Sequence, residues 1–284
     1  MTPLPHSPKA RALAFSKMDL LITIGVVALL AGVGAGFFTY SKSFTKINTC
    51  AANLRLLGVA VQMYAPQNAD KIPYAFIHLN DHNKISWDTL VRPYARAGMR
   101  GEDPNQPAPG TNEFKKILLC PDDDTGPRDW GKPQGRRTYS MPWHDMAAAN
   151  WPPAGTNDTG LGLGWRANGA QGNASLSAVV KQGGILPSIK LAMVLDTSGT
   201  LLLAEQSRSN NIIANSSGAT IRGIADHVER RDDREPVPYH KAKLNYLMAD
   251  GHVELLSPQE TIGSGVTGTN QYPHHGKWTL NPKD

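Results

Sequence analysis

Residues 20–41 read LLITIGVVALLAGVGAGFFTYS, and this uncharged stretch decides the fold that the sequence predicts. As an α-helix these 22 residues would rise about 33 Å, close to the ~30 Å hydrocarbon core of a bilayer. Phe37, Phe38 and Tyr40 near its end are typical of aromatic anchors at a membrane interface. The stretch therefore predicts a single transmembrane helix.

The helical pattern continues beyond Ser41 as an amphipathic stripe. Small and apolar side chains recur at spacings of three and four up to Ala65, and Pro66 follows, which disfavours helix at the residue before it. The members of the stripe are Phe44, Ile47, Ala51, Leu54, Gly58, Val61 and Ala65. A continuous helix over 15–65 is therefore predicted, with its distal half packed on a globular head.

Composition narrows the class of protein. The 284 residues carry 29 basic and 24 acidic side chains with no run of five like charges, which gives no indication of a nucleic-acid partner. Glycine (27) and proline (21) are frequent, and the mean hydropathy is −0.35. The glycine and proline content argues against a helical bundle or coiled coil, and the mean hydropathy excludes a polytopic membrane protein. The two cysteines exclude a disulfide-framework miniprotein and a multi-cysteine zinc module.

The segment before the apolar stretch, Ala14-Phe15-Ser16-Lys17-Met18-Asp19-Leu20-Leu21, follows a short basic leader. It resembles the class III signal of type IV pilins and type II secretion pseudopilins, although the family usually has glycine at the position of Ala14 and glutamate at that of Asp19. The resemblance implies that a prepilin peptidase cuts after Ala14 and methylates the amine of Phe15. It also implies that Asp19 faces the terminal amine of a neighbouring subunit during assembly. On its residues alone, the less favoured alternative is that Asp19 is a simple flank of the helix.

A second resemblance lies near the C-terminus. His240 is followed by nine residues, KAKLNYLMA, and then by Asp250-Gly251, which resembles the prepilin-type processing-associated H-X9-DG family. Between the two ends lie further matching pieces in order: Cys50-x-x-Asn53-Leu54 with Tyr64 and Asn68, Leu119-Cys120-Pro121-Asp122-Asp123, Thr138-Tyr139-Ser140 and Leu203-Ala204-Glu205.

The H-X9-DG piece also has a purely physical interpretation. Two apolar runs joined by Asp-Gly are typical of a hairpin with a type I′ turn, so Asp250 and Gly251 are interpreted as the turn of a hairpin motif at 240–256. His240 is interpreted as a structural residue that hydrogen-bonds to this hairpin.

Cys50 and Cys120 leave two alternatives open. If the head lies outside the cytoplasm, a disulfide closing the intervening ~70 residues would stabilise it by about 4 kcal/mol in the chain-entropy model. Otherwise the two cysteines are independent buried thiols.

Enzymatic and metal-binding motifs are absent from the sequence, which predicts a protein that is not an enzyme and has no cofactor. His240, Asp250 and His252 share no spacing that places them on one face, so no metal site is expected there. Asp122-Asp123-Asp124 does not fit the EF-hand pattern and is interpreted as a solvated turn.

An alternative function rests on four tryptophans in a loop-rich region, Trp130, Trp143, Trp151 and Trp165. Aromatic loops of this kind can bind sugars or partner proteins. The chain would then be a single-span, membrane-anchored ectodomain that binds polysaccharide or a secreted partner.

The sequence thus predicts an α+β fold with a leader (1–14), a long N-terminal helix (15–65) with a transmembrane segment at 20–41, and a head (67–284) built on an antiparallel β-sheet, as in pilins. By resemblance, the chain is a pseudopilin-like subunit of a type II secretion pseudopilus or pilus-like fibre. Its expected location is the inner membrane, with the head in the periplasm. Its expected partners are a prepilin peptidase, other pseudopilin subunits and the membrane.

Overall fold

The computed structural model describes residues 16–78, 84–98, 111–142, 164–166, 174–175, 189–221, 240, 242–262 and 276–278. Within these ranges, the side chains of residues 33–43, 96–98, 111, 165–166 and 174–175 are not described. The chain divides into two compact units, Met1–Thr45 and Lys46–Asp284. Helix α1, Lys17–Gln67, contributes residues to both units. The expected leader, 1–14, lies outside the described residues.

The second unit, which we call the head, is α+β. Among its described residues, the other α-helices are α2 (Trp87–Val91) and α3 (Thr111–Ile117). Its strands are β1 (Phe76–His78), β2 (Lys84–Ser86), β3 (Tyr139–Pro142), β4 (Gly164–Arg166), β5 (Ala174–Ser175), β6 (Leu201–Glu205), β7 (Thr220–Ile221), β8 (Leu244–Met248) and β9 (Val253–Leu256). They form a four-stranded sheet in the order β2-β1-β4-β5 and a five-stranded sheet in the order β7-β3-β6-β8-β9.

The predicted antiparallel sheet is wrong, because both sheets are mixed. The pairs β1–β4, β4–β5 and β3–β7 are parallel, whereas β1–β2, β3–β6, β6–β8 and β8–β9 are antiparallel. Parallel pairing requires a long connection between the strands. The chain has such a long connection between β3 and β7. The predicted hairpin at 240–256 is a local pattern and gives no information about this distant pairing.

The prediction of a long apolar N-terminal helix with a transmembrane segment at 20–41 is also wrong. Within the described part of the chain, no helix is both long and apolar enough to cross a membrane. The described side chains of the apolar part of α1 cover residues 20–32, which rise about 20 Å against the roughly 30 Å of a hydrocarbon core. The remainder of α1 with described side chains carries polar and charged groups.

The distal part of α1 forms the centre of the head's core. Cys50, Leu54, Leu57 and Val61 recur at spacings of three and four, and all are buried. They pack in one hydrophobic cluster with residues of the five-stranded sheet, including Leu203 and Leu247. Helix α1 extends to Gln67, two residues beyond the predicted end at Ala65, with Pro66 in its last turn.

The central strands β6 and β8 of the five-stranded sheet are buried along their whole length. One face of this sheet packs on α1, and the other supplies a second cluster around Tyr246, Ile262 and Trp278. The side chains of Glu205 and Asn245 are consequently buried as well, although they are polar. Buried polar groups are nearly always hydrogen-bonded, so Glu205 and Asn245 are expected to have hydrogen-bond partners inside the head.

Candidate functional site

Four buried side chains from four separate parts of the chain meet within the head: Cys50, Cys120, Glu205 and His240. We call this group the Cys–His cluster. Cys50 lies on the buried stripe of α1, Cys120 follows α3, Glu205 ends β6, and His240 precedes β8. None of the four residues is more than 5% exposed. The sulfur, carboxylate oxygen and imidazole nitrogen atoms that they contribute all lie within 4.8 Å of one another.

A disulfide bond joins Cys50 to Cys120 across 70 residues of sequence. It attaches α1 to the segment after α3, and two hydrogen bonds support the attachment. Asn53 Nδ2 donates to the Leu119 carbonyl oxygen at 3.0 Å, and Tyr139 Oη donates to the Cys50 carbonyl oxygen at 3.3 Å. The structure thus brings together three of the motif pieces that are far apart in the sequence.

His240 is held between two carboxylates. Its Nδ1 lies 2.9 Å from Asp122 Oδ2, while its Nε2 lies 3.3 Å from Glu205 Oε1 and 3.5 Å from Cys120 Sγ. Burial by itself lowers the pKa of His240, but the hydrogen bonds and charges of Glu205 and Asp122 outweigh it, so the pKa is raised above its ordinary value. Asp122 also pairs with Lys46, whose Nζ lies 2.9 Å from Oδ1.

Glu205 is fixed by the strand next to it. Asn245 of β8 donates its backbone N–H to Oε2 at 2.7 Å and its side-chain amide to Oε1 at 3.1 Å. This contact follows from the register, because Ala204 lies opposite Tyr246 in the β6–β8 pair. The carboxylate of Glu205 is therefore oriented towards His240 by the β-sheet itself.

The acidic run at 122–124 contributes to this packing. Asp123 forms a buried ion pair with Arg136 and accepts a hydrogen bond from Thr138 Oγ1 at 2.7 Å. Thr138 Oγ1 in turn accepts the backbone N–H of Cys120 at 2.9 Å. Asp122 and Asp123 thus hold the Cys120 segment against basic and polar partners, which differs from the solvated turn that the sequence predicts.

The H-X9-DG hairpin lies against α1. Gln62 Nε2 donates to the Asp250 carbonyl oxygen at 2.7 Å. Of the two turn residues only Gly251 has a positive φ, at 96°, so the turn differs from the predicted type I′, in which both residues have positive φ. The backbone conformation favours glycine there, and a Cβ on Gly251 would also lie 2.6 Å from Gln62 Nε2, so the end of the Gln62 side chain would have to move.

Asp250 and His252 form a surface group separate from His240. His252 Nδ1 lies 2.6 Å from Asp250 Oδ1, and Nε2 lies 3.1 Å from Glu254 Oε1. Burial lowers the pKa of His252, but the hydrogen bonds and charges of Glu254 and Asp250 raise it by a larger amount, so the net shift of the pKa is upward. Among the described residues, the group suited to hold a metal contains His240 but neither Asp250 nor His252.

At the other end of the chain, Ser16 and Asp19 cap α1. Ser16 donates its backbone N–H to Asp19 Oδ2 at 3.0 Å, and Asp19 donates its own to Ser16 Oγ at 3.2 Å. This reciprocal arrangement is a capping box, and it satisfies backbone donors that a helix start leaves unpaired. The predicted cleavage residues Ala14 and Phe15 lie outside the described residues.

The tryptophan-rich loops are described only in part. Trp130 is half exposed. Trp143 and Trp151, and the side chain of Trp165, lie outside the described residues.

Comparison of the chain with family models, with curated proteins and with solved structures found no match.

The sequence left open whether Cys50 and Cys120 are bridged, and the structure has the disulfide. Sequence reasoning missed that His240 and Glu205 meet this pair. No spacing within one helix or strand relates the four positions. The available signal was the ordered set of motif pieces from Cys50 to Gly251, since each of these supplies one member of the cluster or one of its hydrogen-bonding partners.

Proposed function

We propose that this protein is a pseudopilin-like structural subunit, cut by a prepilin peptidase between Ala14 and Phe15. It then assembles through its N-terminal helix into a type II secretion pseudopilus or a pilus-like fibre. The observation that carries the proposal is the exposed apolar surface of the first part of α1.

This surface surrounds the helix. Its large apolar side chains are each more than half exposed: Met18, Leu20, Leu21, Ile22, Ile24, Val26, Val27, Leu29 and Leu30. Contiguous apolar surface of this kind marks interaction sites in proteins. At Gly25 and Gly32, seven residues apart on one face, a Cβ would meet nothing within 4 Å. Small residues at such positions permit another helix to approach closely.

Asp19 supplies the polar element of the proposed interface. In the single chain its carboxylate is engaged by the backbone N–H of Ser16. Cleavage after Ala14 would create a positively charged amine on Phe15. In the fibre, Asp19 of one subunit would pair with this amine of the next, because a carboxylate among apolar helices is costly unless it is paired.

The disulfide supports a periplasmic location for the head. Disulfides form and persist in oxidising compartments such as the bacterial periplasm. The periplasmic head and the attachment to the inner membrane belong to the same proposal.

The first test is the mass and N-terminal sequence of the chain co-expressed with a prepilin peptidase. We expect a chain that begins at N-methylated Phe15. A chain that still begins at Met1 would contradict the proposal.

The second test is assembly, measured as sedimentable fibres of the processed chain. Asp19→Ala should abolish them, whereas Asp129→Ala, which alters an exposed acidic residue of the head, should not. Sedimentable fibres of undiminished yield from Asp19→Ala would remove Asp19 from the interface. Polysaccharide binding that survives Asp19→Ala, in a chain that forms no fibres, would favour the anchored ectodomain instead.

A further inference from the structure

We infer that reduction of the Cys50–Cys120 disulfide converts the Cys–His cluster into a closed tetrahedral site for a divalent cation of the zinc class. Cys50, Cys120, His240 and Glu205 would be its four ligands. The inference concerns the head alone and does not depend on how the N-terminal helix assembles.

The donor set is the first argument. Two thiolates, one imidazole and one carboxylate are all ligand types that zinc prefers. Around a tetrahedral zinc, with metal–ligand bonds of about 2.0–2.3 Å, ligand atoms lie roughly 3.3–3.8 Å from one another. In the head, the four donor atoms all lie within 4.8 Å of one another. To fit this arrangement the two sulfurs must separate from their bond, and donor atoms near the 4.8 Å limit must move closer by about 1 Å, whereas His240 Nε2 already lies 3.3 Å from Glu205 Oε1 and 3.5 Å from Cys120 Sγ.

The surroundings of the ligands are the second argument. A histidine that binds zinc usually gives its other ring nitrogen to a carboxylate, which fixes the orientation of the ring. His240 shows this arrangement, because Nδ1 faces Asp122 at 2.9 Å while Nε2 faces Cys120 Sγ and Glu205. Glu205 is oriented in the same way by the backbone and side chain of Asn245.

Burial decides the type of site. The side chains of His240 and Glu205 are fully buried, and Cys50 and Cys120 are at most 2% exposed. Four protein ligands without solvent access are typical of a structural zinc site, whereas a catalytic site keeps one position open. The cation would therefore replace the disulfide as the link between α1 and the segment after α3.

The chemistry balances with a dithiol as the reductant. The dithiol gives two electrons and two protons to the S–S bond, which breaks into two thiols, and is itself oxidised to a cyclic disulfide. The divalent cation then binds both sulfurs as thiolates and releases their two protons to solvent, together with any proton on His240 Nε2. A small-molecule disulfide would reverse the step: it takes two electrons from the thiolates and two protons from solvent, leaves as two thiols, and the re-formed S–S bond releases the cation.

The test uses the full chain with Co²⁺ as a spectroscopic probe and Zn²⁺ as its competitor. One sample is reduced with a dithiol, which is then removed without oxygen, and the other is kept oxidised. We expect the reduced chain to bind one Co²⁺ with the charge-transfer absorption of thiolate ligation, and Zn²⁺ to displace it. The oxidised chain should bind at least 100-fold more weakly.

Variants distinguish the proposed ligands from other residues. Glu205→Gln and His240→Ala should each weaken binding more than tenfold, and Asp122→Asn, which acts through His240, should weaken it about tenfold. His252→Ala, a histidine outside the cluster, should bind as the unaltered chain does. Circular dichroism of each reduced variant monitors folding, and the near-isosteric Glu205→Gln and Asp122→Asn provide the answer if His240→Ala does not fold.

Three results would overturn the inference. In the first, the reduced chain binds no Co²⁺. In the second, the reduced Glu205→Gln and Asp122→Asn variants bind Co²⁺ with the same affinity as the unaltered chain. In the third, the chain unfolds on reduction and the metal does not restore its circular dichroism. Any of them would leave the cluster as a disulfide with a neighbouring histidine.

Discussion

The imidazole Nε2 of His240 lies 3.5 Å from the Sγ of Cys120, although 120 residues separate the two in the sequence. This contact connects the histidine of the H-X9-DG piece to the disulfide that attaches α1 to the head. The C-terminal piece of the motif set therefore shares one buried site with the pieces that contain Cys50 and Cys120.

Loss of the disulfide should weaken the head substantially. Replacement of Cys50 and Cys120 by serine opens a loop that spans 70 residues, and the chain-entropy model gives a loss of about 4 kcal/mol in the free energy of unfolding. Urea unfolding with a metal chelator present measures it. A dithiol should lower the stability of the unaltered chain to that of the variant, and a difference below about 1 kcal/mol would contradict the estimate.

The buried pair Arg137–Asp88 predicts a large effect of a single substitution. Arg137 Nη1 lies 2.6 Å from Asp88 Oδ1, both side chains are at most 1% exposed, and the guanidinium stacks on Trp87. Asp88→Ala leaves a buried, uncompensated charge, which costs about 3–5 kcal/mol. Asp129→Ala, which breaks the exposed pair with Lys132, should leave the urea midpoint unchanged. Equal midpoint shifts in the two variants would argue against this interpretation.

The hairpin turn offers a matched pair of glycine substitutions. Gly251→Ala places a side chain at a φ of 96° and against Gln62, so we expect a loss of about 1–3 kcal/mol. Gly126→Ala meets nothing within 4 Å and should change stability by less than about 0.5 kcal/mol. Thermal or urea unfolding compares the two variants directly. If Gly251→Ala is as stable as Gly126→Ala, the turn tolerates a side chain and the contact with Gln62 is not restrictive.

The surface group around His252 predicts a pH dependence. Because the pKa of His252 is raised in the folded chain, its contribution to stability is fully present below the unfolded value of about 6.5. It is lost as the pH rises through the folded pKa. His252→Gln should remove this part of the decline in stability above about pH 6.5. Because His252 also lowers the pKa of Glu254, the loss of stability at acidic pH should become smaller in the variant as well. Urea midpoints at several pH values measure it, and identical profiles for the two chains would exclude His252 as the source.

The local pattern of the sequence predicted some parts of this structure well and others not at all. The buried stripe at Leu54 and Val61 was readable because a helix places such residues on one face. The apolar runs around Asp250-Gly251 indicated the β8–β9 hairpin for a similar reason, since strands alternate and the turn residues are distinctive.

Other features depend on contacts between distant residues. The parallel partner of β3 is a strand of only two residues, Thr220–Ile221, which is too short to show any periodicity. Likewise, the meeting of Glu205 with His240 depends on the register of β6 and β8, which no local spacing expresses. At 20–41 the sequence instead predicted a feature that the structure lacks. Apolar composition alone indicated a transmembrane span, and the described part of the helix is not long and apolar enough to provide one.

The covalent link at Cys50 also determines how the chain carries mechanical load. When its two termini are pulled apart, tension passes from Cys50 directly to Cys120 through the sulfurs, and the intervening segment bears none of it. At about 3.4 Å per extended residue, the ~70 bypassed residues correspond to roughly 24 nm of contour length that stretching cannot release while the bond is intact. Trp87, the α2–α3 region and the strands β1 and β2 lie within this protected loop.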